Sequence, residues 1–262
     1  MATSFTQLMG RAKRDFGALE LEVPSDWMQG RTVFGGLQVA IALEAMRTCV
    51  PGTVLRTLQT TFVAPVPEGA VRARAEVLRR GKNATHVEAR LFGRDETLAV
   101  VIGVFGDARS SKAARLPRRP TLEASEPLEI GFVPGVFPNF AQHFRRRWLK
   151  GSRPFTGQPI HEVVVEVGIR DEGPITEGHA VAIADFIAPV ALSHLDAPAP
   201  GSTLTWMLEW LSDDVRHLPL DGWRLDAELI AARDGYTNQS VMLWGPDGSA
   251  VALSRQSMLV FG

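Results

Sequence analysis

Three side chains of this sequence could together activate a water molecule: Asp185, which closes the run GHAVAIAD, Thr203 in STLTWM and Gln256 in ALSRQSMLVF. A carboxylate, a hydroxyl and a carboxamide supply the acceptors and donors that hold one water. The carboxylate can then take its proton, because burial raises a carboxyl pKa toward the range of a general base. Each residue also has a plainer reading. Asp185, with Pro189 close by, could simply bond backbone donors near a helix end. A strand threonine more often packs, and a lone strand glutamine usually faces solvent. Their joint occurrence is what makes the chemical reading competitive.

That occurrence emerges from an internal repeat. GLQVAIAL (Gly36–Leu43) and GHAVAIAD (Gly178–Asp185) share VAIA, and a second pair of matching segments follows each, RRGKNATHVEARLFG and ARDGYTNQSVMLWG. Aligned, the copies place Asp185 where the first has Leu43, Gln256 near Ile102, and Thr203 with Thr57. Two apolar positions of one copy are thus polar in the other. Buried polar groups are costly unless they satisfy one another or bind something, so the second copy is where a site is expected.

The elements that would carry these residues follow from pattern. GGLQVAIALEAM is apolar or small almost throughout, which suits a helix covered on most sides rather than a surface helix. LRTLQTTFVAPV, AVRARAEVLRRG, THVEARLFG and TLAVVIGVFG alternate or are β-branched, and read as antiparallel strands. The same order recurs after a stretch rich in Pro, Gly, Ser and Arg from Gly106 to Phe140. The expected architecture is α+β, two units each built of a helix wrapped by antiparallel strands. Their sheets join edge to edge and so hide free edges. The expected boundaries are 1–110 for the first unit, 111–155 for a linker and 156–262 for the unit that carries the site.

Bulk properties narrow the function. A net charge of -1 gives no global field for nucleic acid or an anionic membrane, and no run reaches the roughly 18 apolar residues of a membrane span. The single Cys49 excludes an internal disulfide and a cysteine metal cluster. The six histidines form no close ligand pair such as HxxxH, so no metal is expected, and no other cofactor is expected either. A cytoplasmic, unprocessed chain is the expectation.

The segments RTVFGGLQVAIALEAM, LQTTFVAPVPEG, IADFIAPVAL, STLTWMLEW and PDGSAVALSRQSMLVF, in that order, resemble the acyl-CoA thioesterase II (TesB-like) family. The resemblance implies a tandem, or double, hotdog fold, an acyl-CoA substrate lying between the two halves, and hydrolysis to free acid and CoA. It implies that Asp185, Thr203 and Gln256 position the hydrolytic water, with the substrate carbonyl near Gly35 and Gly36 at the first helix start. Free N–H groups there would stabilise an oxyanion, although tight helix packing explains two glycines equally well. A homodimer or larger homo-oligomer is also implied. The sequence departs from the family at Thr205 and Trp206, where an Asp-His pair often stands.

Two other readings remain open: a hotdog hydratase or dehydratase using His179 or His194 with Asp185, and a non-catalytic acyl-CoA-binding protein. FRRRW (Phe144–Trp148) reads as a solvated turn or as a contact for CoA phosphates. FPNFAQHFRRRW supplies exposed aromatic candidates for a subunit interface. Trp206 and Trp210 share a strand face and read as packing residues.

Overall fold

The computed structural model describes residues 2–93, 96–123 and 126–261. The first half contains α1 (Phe5–Gly10), β1 (Lys13–Asp15), β2 (Ala18–Val23), β3 (Met28–Gln29), β4 (Thr32–Val33), α2 (Gly35–Cys49), β5 (Leu55–Phe62), β6 (Gly69–Arg80), β7 (Thr85–Phe92) and β8 (Thr97–Phe105). The second contains β9 (Leu128–Glu129), β10 (Phe144–Lys150), β11 (Glu162–Ile169), α3 (Glu177–Ala184), β12 (Gly201–Trp210), β13 (Trp223–Arg233), β14 (Tyr236–Trp244) and β15 (Ala250–Val260). Thirteen of these strands form one antiparallel sheet, ordered β1-β2-β6-β7-β8-β5-β12-β15-β14-β13-β11-β10-β9, and β3 pairs with β4 apart from it.

The order shows the repeat directly. The run β2-β6-β7-β8-β5 is matched, in mirror order from the other end, by β11-β13-β14-β15-β12. The halves meet where β5 pairs with β12, Leu58 opposite Leu208 and Thr60 opposite Trp206. Joining there removes two edges at the centre of the sheet. The outer edges are short, β1 with three exposed residues and β9 with two, a form that discourages pairing with other chains. This is the tandem α+β arrangement expected from the sequence.

Both helices are buried nearly all round, as their largely apolar character requires. In α2 eleven of fifteen residues are buried and in α3 seven of eight. Strand alternation supplies the other wall: Val87, Ala89 and Leu91 of β7 and Val241 and Leu243 of β14 face the core. Trp206 and Trp210 are buried as expected, and the Trp206 indole N–H donates to Ser254 Oγ at 2.8 Å. No helix among the described residues is long and apolar enough to cross a membrane.

The segment read as a linker holds β9 and β10, and β10 is the neighbour of β11 in the sheet. FRRRW is therefore a strand rather than a turn. Its arginines are engaged within the chain: Arg145 with Asp221 at 2.6 Å, Arg147 with Glu166 at 2.6 Å, and Arg146 over the Phe137 ring at 4.0 Å. The aromatic residues expected on the surface are mostly inside. Phe140 and Phe144 are buried, with Phe140 stacked on Phe34 at 4.0 Å and Phe144 tilted on Phe186 at 4.9 Å. They fill the space around the start of α2 and the end of α3.

The helices touch at Gly36, where a Cβ would stand 2.9 Å from Ala182 Cα and 2.8 Å from the Phe34 ring. Alanine in a helix is better than glycine by about 1 kcal/mol, but the obstruction is backbone and cannot swing away. Overpacking of about 1–3 kcal/mol outweighs the helical gain, so Gly36→Ala is expected to lower the urea midpoint.

Candidate active site

Helix α3 begins with a local cap: the Thr176 hydroxyl accepts from His179 N–H at 3.4 Å, and His179 Nδ1 accepts from Thr176 N–H at 3.1 Å. It stops at Ala184, and the chain turns toward Pro189 through Asp185. The Asp185 side chain thus leaves from the helix end, where it meets the first turn of α2. That turn has no cap of its own, since Phe34 at the N-cap position offers no side-chain acceptor. The Gly36 N–H bonds the Asp185 carboxylate, and a Cβ on Gly35 would stand 2.7 Å from Asp185 Oδ2. Gly35 is needed here for the close approach of the carboxylate. The plainer reading of Asp185 as a partner of backbone donors holds in a modified form, because the donor belongs to the other helix.

On the opposite side, Gln256 of β15 donates from Nε2 to Asp185 Oδ1 at 2.5 Å. Gln256 is buried, and its Oε1 accepts from Gln239 Nε2 at 2.9 Å. Gln239, buried on β14, accepts in turn at Oε1 from the Val190 N–H at 3.0 Å. The sequence reading missed Gln239. Its signal was available: Thr237, Gln239, Val241 and Leu243 are alternate residues of one strand, and the latter two are plainly core positions.

Thr203 lies opposite Met258, one inward position along from Gln256, and a register shift follows between Thr203 and Thr205. Met258 is buried on the inner face, so the register turns Thr203 to the same side as Gln256. Its half-buried hydroxyl bonds neither Asp185 nor Gln256 and has no protein partner among the described residues. Trp206 is directly opposite Gln256 in the β12–β15 pairing.

Burial pushes the Asp185 carboxyl up to about 7, against the lowering effect of the Gln256 and Gly36 hydrogen bonds. Its surface is nonetheless partly exposed. The two histidines weighed as partners are occupied elsewhere. His179, with Nδ1 accepting from the Thr176 N–H, donates from Nε2 to Asp171 at 3.0 Å, and His194 Nε2 bonds the Ile160 carbonyl at 3.0 Å.

Residues 23–106 match the family model for the acyl-CoA thioesterase N-terminal domain, and residues 116–260 match that for the acyl-CoA thioesterase C-terminal domain. No curated protein matches the sequence. Among solved structures, a conserved protein of unknown function with a hot dog fold from Alicyclobacillus acidocaldarius superposes with a TM-score of 0.87 at 19% identity, over 100% of this chain and 99% of that one. A tesB protein of Mycobacterium avium subs paratuberculosis gives 0.79 at 14% identity, over 99% and 100%. The acyl-CoA thioesterase II TesB2 of Mycobacterium marinum gives 0.72 at 15% identity, over 95% and 94%. At these identities the superpositions establish the fold, a tandem hotdog.

The raised carboxyl has a consequence for stability. Between the unfolded value of about 4 and the folded value of about 7, the folded state holds a proton that the unfolded state has lost. Stability therefore falls as pH rises through that window. Asp185→Asn removes the effect and is expected to exceed the parent at pH 8 by up to about 4 kcal/mol, less about 1 kcal/mol for a backbone hydrogen bond weakened by the amide. The gap should close toward pH 4 in a series of urea titrations.

Proposed function

Because this chain belongs to the acyl-CoA thioesterase family, we propose that it hydrolyses acyl-CoA with a water held by Asp185, Thr203 and Gln256, and that Asp185 is the general base. The observation that carries this reading is the Asp185 carboxyl itself. It sits between a helix N-terminus and a carboxamide donor, with its pKa at about 7. A base tuned near the working pH is partly ionised and still strong enough to accept a proton.

The water loses its proton to Asp185 as its oxygen attacks the thioester carbonyl. Gln256 has a second N–H beyond the one given to Asp185, and the Thr203 hydroxyl lies on the same face, so both can orient the water. The tetrahedral oxyanion develops beside the start of α2, where unpaired N–H groups carry partial positive charge. In the resting arrangement the Gly36 N–H faces Asp185, and the absence of a side chain on Gly35 is what lets that carboxylate lie against the helix start. Collapse of the intermediate breaks the C–S bond, and the proton on Asp185 passes to the departing thiolate. The products are the free acid and CoA, with no cofactor consumed.

Release of free thiol from acyl-CoAs of graded length is the test. The parent rate is expected to rise with pH through about 7. Asp185→Asn should reduce kcat by about 10²–10⁴-fold, and Thr203→Val by a smaller factor. Binding of acyl-CoA with no thiol release by the parent would instead indicate a binding protein, and undiminished turnover by Asp185→Asn would remove Asp185 from the mechanism.

A further inference from the structure

We propose that Gln239 is a positioning residue that fixes which end of the Gln256 carboxamide faces Asp185. The inference rests on the reading of Asp185 and Gln256 as part of the active site. A carboxamide is nearly symmetrical in shape, so packing alone does not decide whether Gln256 presents its oxygen or its nitrogen to the carboxylate. The oxygen would repel an ionised Asp185, and the nitrogen stabilises it.

The decision is made two residues away by a group that has no alternative. The Val190 backbone N–H can only donate, and it donates to Gln239 Oε1 at 3.0 Å. Gln239 must then turn its Nε2 to Gln256, whose Oε1 accepts at 2.9 Å. Gln256 is left with Nε2 toward Asp185 Oδ1. Every bond of this chain points the same way, from Val190 through Gln239 and Gln256 to Asp185. Both glutamines are nearly inaccessible, at 2% and 4% exposure. No water competes freely for their amides, and a reversed amide would leave two like ends facing one another. The arrangement also ties the segment after Asp185 to the sheet, since Val190 opens the short 3-10 helix Val190–His194 of that segment. Burial, Gln256 and the Gly36 N–H are what act on the Asp185 carboxyl, and no charged side chain among the described residues does.

The experiment reads the side-chain amides by NMR, in the full-length chain, through a pH titration without substrate, alongside thioester hydrolysis. In the parent, the amide groups of Gln256 and Gln239 are expected to shift together, with a single midpoint near that of Asp185. Gln239→Met keeps the length and volume of the side chain and removes the directing hydrogen bonds. It should raise the Gln256 midpoint by about one unit, lower kcat about 10-fold near neutral pH and leave KM within about 2-fold. A Gln239 amide that stays silent while Gln256 titrates overturns the proposal, and this needs no variant to fold. So does a Gln239→Met protein with an unchanged midpoint and kcat. Absence of thiol release by the parent would count against the hydrolase reading alone, because the NMR titration does not depend on turnover.

Discussion

The contact on which the site depends is the approach of the end of α3 to the start of α2. One carboxylate reaches the unpaired N–H groups of a helix it does not belong to, and glycine at 35 and 36 is what lets it arrive. A helix start favours a negative charge, by about 0.3–1 kcal/mol at an exposed terminus. Burial works in the other direction. Burial is the stronger, which is why the carboxyl rests near neutrality rather than below its ordinary value.

The sheet supports this contact by holding both helices on one face. Joining β5 to β12 fixes the relation of the two units through backbone hydrogen bonds, so the end of α3 and the start of α2 are positioned by the rigid part of the molecule. The glutamines come from β14 and β15, neighbours in the same sheet. A site mounted on strands and helix ends loses little of its geometry to local motion, and the proposed hydrolysis would need a water aimed to within fractions of an ångström.

What was legible in the sequence follows the range of the interaction that specifies it. The helices, the strands and the repeat are written in local patterns of apolar residues, and Asp185 and Gln256 stood out because they break those patterns. Their direct hydrogen bond follows from the fold. Strand β10 was hidden because FRRRW has no alternation of apolar residues, and its charges are satisfied by Asp221 and Glu166, which are distant in sequence. The burial of Phe140 and Phe144 was hidden for a similar reason: a short aromatic run among prolines looks exposed until the cavity it fills is known. Gln239 could have been found by the alternation of its strand. The bond from Gly36 to Asp185 could not, because nothing in either segment names the other.

The two helices run side by side in opposite directions, and the contacts at their two ends differ in a way that separates structure from chemistry. At one end Arg47 of α2 meets Glu177, the first residue of α3, at 2.7 Å, and the same guanidinium bonds the Val50 carbonyl. The N-terminus of α3 is also capped by Thr176, and Phe5 covers Gly178. The Arg47 and Glu177 charges there complement one another. At the other end the carboxylate of Asp185 receives N–H donors and, among the described residues, no cation. Pairing with a cation would have stabilised the fold and fixed the carboxylate in its ionised form, too weak a base to be useful at neutral pH. The asymmetry between the copies, Leu43 in one and Asp185 in the other, thus has a physical reading. A repeated unit has two equivalent helix ends, and a molecule that leaves only one of them unpaired keeps the cost of a buried, proton-exchanging carboxyl to a single place.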